Sequence, residues 1–98
     1  MSKITKSAKD EACTLNIRGV CNYDPSTVVW AHSNQGVHGK GMGLKAKDEH
    51  GAYACYPCHM TYDRQKNRPK DLPLSEVEDA FTMGMLKSRQ ILKDKGLI

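Results

Sequence analysis

The chain has 98 residues, enough for one domain, and a chain this short buries only about 60 to 65% of the surface its unfolded form exposes. Hydrophobic residues make up 39% and aromatics 6%, so the core is thin, and small domains of this kind commonly add a metal or disulfides. The 15 Lys and Arg against 11 Asp and Glu leave a net charge of +4, which suits a polyanionic partner without requiring one.

Residues 1–10 are polar and lysine-rich, and read as a loose arm or a short helix leading into the fold. They hold no apolar run of the roughly 7 to 15 residues that a secretory signal needs. No stretch approaches the ~20 apolar residues of a membrane span. The expectation is a cytoplasmic protein with no membrane contact, and in a reducing compartment an even set of cysteines is better read as metal-binding thiolates than as disulfides.

From Cys13 to Cys21 the run Thr-Leu-Asn-Ile-Arg-Gly-Val alternates apolar and polar residues, which predicts a short strand and a hairpin with a cysteine at each foot. Tyr23-Asp24-Pro25-Ser26 is turn chemistry, and Thr27 to Trp30 is a β-branched and aromatic run that predicts a strand, with His32 just past its end. Between Gly36 and Gly43 four of eight residues are glycine, which predicts a loop. Ala52-Tyr53-Ala54 predicts a second strand delivering Cys55-Tyr-Pro-Cys58-His59, and a helical turn or two follows from His59 to Gln65.

Residues 66–74 form a basic loop with two prolines. Ser75 and Glu78 match a capping box, and Val77, Phe81, Met85, Ser88 and Leu92 fall on one helical stripe with Ala80, Gly84 and Ile91 beside it. The spacing predicts a helix from about Glu76 to Lys95, ended by Gly96. Trp30 and Phe81 are assigned to the core. Met83 and Leu86, around Gly84, are expected to be buried within that same core, with a dimer contact as the other use. The chain is thus divided into an arm (1–10), a core (11–65), the basic loop (66–74) and a C-terminal helix (75–98), in one domain.

Cys55-x-x-Cys58 has the spacing of a zinc knuckle. Cys13-x7-Cys21 is a wider pair that joins it only if the intervening chain brings its ends together. The four would make a tetrahedral structural site; otherwise they are buried thiols packing as small hydrophobes. Cys55-Tyr-Pro-Cys58-His59 also matches the c-type haem signature, but haem of that kind is attached outside the cytosol and leaves Cys13 and Cys21 without a role.

All four histidines, His32, His38, His50 and His59, lie mid-chain near Asp48 and Asp63. Phosphodiester hydrolysis needs a base to generate the nucleophile and a hard cation to neutralise charge on the phosphate. Histidine as a residue type titrates near neutrality, which suits His32 to the first task. His59 and Asp63, four residues apart on one helix face, suit the second, and a helix-surface ion pair or a contact to the zinc site is the other reading of the pair.

A strand ending in Ala31-His32, a glycine-rich stretch, then Ala54-Cys55-x-x-Cys58-His59 with Asp63 following, resembles the HNH, or His-Me finger, endonucleases. More closely, Cys13, Gly19-Val-Cys21, His32, Gly41-Met-Gly43, Lys45, Asp48, Ala54-Cys55, Cys58-His59 and Asp63 resemble the YbcO family of small prophage-encoded proteins classed as nucleases. The likeness runs from about Glu11 to Arg64. It implies zinc on Cys13, Cys21, Cys55 and Cys58, His32 as general base and His59 as a ligand of the catalytic ion. Ala31 stands where many HNH enzymes place a second ligand, and His50 falls near the place of the central Asn of the HNH name.

Lys40, Lys45 and Lys47 lie in and after the glycine loop, and Arg64, Lys66, Arg68 and Lys70 form a second basic run. Both are expected to grip a nucleic-acid backbone, a solvated charged surface being the alternative. The expectation as a whole is an α+β domain, a zinc-stabilised treble-clef-like core with a ββα-metal motif and a C-terminal helix. Its expected work is hydrolysis of DNA with Mg2+ or Mn2+ and no small-molecule cofactor, in a bacterial host's cytoplasm. The competing class is a noncatalytic zinc module that binds DNA or a protein partner.

Overall fold

The β-branched run at Val28 forms a strand, β1 (Val28–His32), that pairs antiparallel with β2 (Gly51–Cys55) in a two-stranded sheet, in register from Val28 opposite Cys55 to His32 opposite Gly51. The computed structural model describes residues 3–33, 50–64 and 68–98. Before the sheet come a short helix, α1 (Lys3–Lys6), and a single 3-10 turn (Pro25–Thr27) capped by Asp24. After it come α2 (Tyr56–Asp63) and the long α3 (Leu74–Asp94). The result is a small α+β fold in which α2 and α3 pack on the strand pair. No helix among the described residues is long and apolar enough to cross a membrane.

Tyr53, in the middle of β2, ties these layers together. Its backbone amide donates to Ser88 Oγ of α3 at 3.0 Å, and its carbonyl accepts from the Thr14 amide at 2.8 Å and from Thr14 Oγ1 at 2.7 Å. Both backbone groups therefore point away from β1, which makes Trp30 and Tyr53 a non-hydrogen-bonded pair, the closer of the two antiparallel pairings. Their rings meet edge to face at 5.0 Å between centroids. The Tyr53 hydroxyl lies 2.7 Å from Ser7 Oγ, so the segment after α1 is fastened to the same residue. Ser88 interrupts an otherwise apolar stripe because a buried strand edge needs a partner for its amide, and the hydroxyl, also 3.1 Å from Thr14 Oγ1, supplies it.

On α3 the buried residues are Val77, Phe81, Gly84, Ser88 and Leu92, the stripe read from the sequence with Met85 only partly buried. Phe81 stacks on Tyr62 of α2 at 3.8 Å, nearly parallel, which seats the short helix on the long one. The helix ends as its glycine implies: Gly96 has φ +74°, the Leu97 amide donates to the Leu92 carbonyl and the Gly96 amide to that of Lys93.

Three expectations are corrected. Residues 13–21 form no strand: the Val20 and Cys21 amides both fold back to the Ile17 carbonyl, giving a tight turn, while Leu15 and Ile17 are buried against the core. The helix starts at Leu74, and Ser75 is not its cap. Pro73 occupies the N-cap and its carbonyl accepts from Glu76 and Val77, with Leu72 and Val77, both buried, in the positions of a hydrophobic staple. Met83 and Leu86 are exposed, at 53% and 61%, because the stripe that faces the sheet runs through Gly84 and Ser88 and leaves them on the outer side.

Replacing Ser88 by Ala strands the buried Tyr53 amide, and the expected cost is about 1 to 3 kcal/mol, measured as a lower urea midpoint. Gly51→Ala is expected to cost about as much by overpacking, since a Cβ there lies 2.6 Å from the Ala31 carbonyl oxygen and 2.8 Å from the Trp30 indole; the emission of this sole tryptophan reports the displacement.

Candidate metal centre and histidine site

The tight turn of residues 17–21 and the junction of β2 with α2 bring the four cysteines together. Their sulfur atoms all lie within 4.8 Å of one another. An ion bound tetrahedrally by sulfurs at about 2.3 Å sets neighbouring sulfurs roughly 3.8 Å apart. Cys21 and Cys55 Sγ are 3.7 Å apart, so the cluster has the dimensions of a metal cage before any ion is considered. Cys55 is the N-cap of α2 and makes no side-chain cap, its sulfur being turned into the cluster, and Cys58 follows in the helix's first turn. Pro57 is at home in that turn, where no amide proton is needed. Cys55 and Cys58 are fully buried, Cys13 and Cys21 partly.

The backbone around the cluster is arranged for thiolates. The Asn16 amide points at Cys13 Sγ at 3.5 Å and the Tyr23 amide at Cys21 Sγ at 3.4 Å. Both residues adopt left-handed conformations, φ +47° and +55°, which are costly for a tyrosine and are held here by the turn. Without a cation the sulfurs share charge unequally. A hydrogen bond from Cys58 holds the Cys13 thiol far below its usual range, against the effect of burial. The same bond, followed by burial, drives Cys58 up. Burial pushes Cys21 up to about 11, opposed by the Tyr23 amide and reinforced by charge on Cys13. Deprotonation of all four sulfurs at this crowding calls for a positive ion. The donor set and spacing fit a metal ion such as zinc.

His59 follows Cys58 directly in α2. Its Nε2 lies 3.0 Å from Asp63 Oδ2, four residues on, so the pairing read from the i, i+4 spacing is present. Its Nδ1 is buried and has no hydrogen-bond partner among the described residues. This orphaned ring nitrogen beside a carboxylate-held one leaves the imidazole a lone donor atom for a further ligand. His32 is the last residue of β1 rather than a residue beyond it, and stands opposite Gly51. His50 is at the same end of the sheet, its carbonyl accepting from the Ser33 amide at 2.8 Å. α2, which carries His59, packs against both strands. Ala31 is fully buried and offers no donor.

Arg64 is exposed at the C-cap of α2, its amide bonded to the Met60 carbonyl. Lys40 and Lys45, with Lys47, Lys66, His38, Asp48 and the glycine-rich stretch, lie outside the described residues. Sequence reasoning missed Asn16 and Tyr23 as holders of the sulfurs and Gly51 as the gap that admits Trp30. A glycine opening a strand is a signal of close approach, and an asparagine between two cysteines is a signal of a left-handed turn.

Comparison with known proteins adds the family. The family model described as "Putative nuclease YbcO" matches residues 2–97. The protein "Putative nuclease YbcO" of Escherichia coli (strain K12) is 31% identical over 99 aligned residues, covering 100% of this chain and 98% of its own. "Putative nuclease ybcO" of Enterobacteria phage 82 matches with the same identity and coverage. A solved structure, "Structure of a putative bacteriophage protein from Escherichia coli str. K-12 substr. MG1655", superposes with a TM-score of 0.75 at 27% identity, over 95% of this chain and 99% of that one. Matched from end to end in sequence and in fold, the chain belongs to the YbcO family of phage and prophage proteins.

Proposed function

We propose that this chain is a metal-dependent endonuclease of the HNH type, encoded by phage or prophage and acting on DNA in the bacterial cytoplasm. The observation that carries the reading is the His59–Asp63 pair at 3.0 Å, set one residue after a four-sulfur cluster on a helix packed against the strand that ends in His32. The nuclease name of the family's members agrees with it.

In this reading zinc on Cys13, Cys21, Cys55 and Cys58 is structural, since four sulfurs leave no open position for chemistry. His59 and Asp63 hold a divalent ion such as Mg2+ or Mn2+, which when bound supplies the Lewis acidity that offsets charge on the phosphate and the leaving oxygen. Ala31 offers no donor, so among the described residues these two side chains are the ones assigned to that ion. His32 accepts the proton of the attacking water. Its place as the last residue of a paired strand fixes its backbone. His50, whose carbonyl is bonded at the same end of the sheet, falls near the sequence place of the central Asn of the HNH name and is its candidate counterpart. Arg64, Lys40 and Lys45 contact the DNA backbone.

Elemental analysis is expected to find one zinc per chain. Co2+ is expected to replace it with the absorption of a tetrahedral thiolate site, and Cys21→Ser to weaken binding. Affinity falls as pH falls, because every ligating thiol must lose its proton.

Purified protein incubated with linear and branched DNA and Mg2+ or Mn2+ is expected to cleave. His32→Ala is expected to lower the rate by about 10^2 to 10^4 with zinc content intact. DNA binding without cleavage by the wild type assigns the chain instead to the noncatalytic zinc modules. Cleavage undiminished in His32→Ala removes His32 from the mechanism.

A further inference from the structure

The outer side of α3 carries a pattern that the fold does not use. Its buried stripe faces the sheet; on the opposite side Glu76, Asp79, Met83, Leu86, Gln90 and Lys93 follow one another at alternating spacings of three and four residues, which sets them in one line along the helix. Met83 and Leu86, in the middle of that line, are both more than half exposed and adjoin each other across a turn. Apart from Leu74 at the first position, the other exposed residues of α3 are polar or charged. A lone exposed leucine is ordinary, whereas an adjoining apolar pair at the centre of such a line has the form of a helix-pairing seam.

The charges along the helix select the partner. Before the apolar pair come Glu76, Glu78 and Asp79 with no cation; after it come Lys87, Arg89 and Lys93 against Asp94 alone. A second α3 laid antiparallel, about an axis through the midpoint between Met83 and Leu86, sets Met83 against the partner's Leu86, Asp79 against the partner's Gln90 and Glu76 against the partner's Lys93, and each contact occurs twice. A parallel pairing sets Glu76 on Glu76, Asp79 on Asp79 and Lys93 on Lys93, all of which repel. The groups needed are within reach. Glu76 accepts from Arg18 yet keeps its side chain 40% exposed, and the Gln90 amide, which donates one hydrogen to Asp94, has a second.

We propose that the chain pairs with a second copy of itself through this outer face of α3, in an antiparallel two-helix contact. Such a contact closes on itself by twofold symmetry, the commonest form of homo-oligomer. The seam from Glu76 to Lys93 is about 25 Å long and has two apolar layers at its centre. That is a small interface, so the pair is reversible at micromolar concentration rather than permanent. None of the four cysteines, His32, His50, His59 or Asp63 belongs to α3, and the inference stands apart from the nuclease reading.

Sedimentation velocity of the zinc-loaded protein, from micromolar to near-millimolar concentration, is expected to show a monomer–dimer equilibrium. Met83→Glu and Leu86→Glu, made separately, each put a carboxylate into the central layers, and each is expected to raise the dimer dissociation constant at least tenfold. Both positions are exposed, so circular dichroism, zinc content and the thermal unfolding of dilute protein are expected to match the wild type. Carbodiimide, which joins a carboxylate to an amine without a spacer, tests the orientation. Within one chain Glu76 and Lys93 lie about 25 Å apart along a single helix, so a peptide that joins them comes from two copies. That peptide is expected in the dimer, with mixed-isotope products when labelled and unlabelled protein are combined. A chain that stays monomeric over the whole range overturns the proposal and leaves the face to solvent or to a different protein. So does a dimer that Met83→Glu and Leu86→Glu leave undiminished, or one whose crosslinks never join Glu76 to Lys93. Because no cleavage is measured, either result leaves the nuclease reading where it stands.

Discussion

Four sulfur atoms within 4.8 Å of each other are a constraint on everything around them. Thiolates repel at that range, and a bound cation is the direct way to offset the repulsion. The cluster links two parts of the chain. One is a turn held by the Ile17 carbonyl and by left-handed Asn16 and Tyr23; the other is the point where β2 becomes α2. Structural zinc in finger-like peptides contributes about 10 to 16 kcal/mol, comparable to the whole stability of a small domain. With 6% aromatic residues to fill a core, this chain has reason to depend on such a site.

The histidine pair inherits its position from that link. His59 belongs to the first half of an eight-residue helix, too short to be stable by itself in water. What holds the helix is Cys58 in the cluster, the Tyr62–Phe81 stack and the wall of the sheet. Asp63 then restrains the imidazole from the next turn at 3.0 Å. His32 is positioned independently, by strand pairing with Gly51. Two functional candidates are thus carried by two different devices, a metal-type knuckle and a hydrogen-bonded strand, that meet where α2 packs on β1.

Tyr53 shows how a two-stranded sheet survives in so small a domain. A hairpin alone is marginal in water. Here the outer edge of β2 is closed by Thr14 and Ser88, its side chain is fully buried against Trp30, and its hydroxyl holds the N-terminal segment. The family relationship, which spans the full chain and a solved fold at a TM-score of 0.75, indicates that the overall fold is common to related phage proteins.

Local rules alone determined a good part of the protein. The β-branched run from Thr27, the short strand at Ala52-Tyr53-Ala54, the 3.6-residue stripe of α3 and its stop at Gly96 are decided by neighbours a few residues away, and each is where the sequence places it. The i, i+4 pair of His59 and Asp63 and the knuckle of Cys55 and Cys58 belong to the same class. What only the tertiary structure decided is where long-range partners fall. Leu15 and Ile17 alternate like a strand, yet among the described residues no strand pairs with them, and the segment is instead pinned by Thr14 to Tyr53, 39 residues away. Ser75 has the chemistry of a cap, but Pro73 and the burial of Leu72 start the helix earlier. Ser88 is a serine because of an amide 35 residues distant, and Gly51 a glycine because of an indole on the other strand. Periodicity records which face of an element is apolar; it holds no information about which unsatisfied group in another element will come to lie against it.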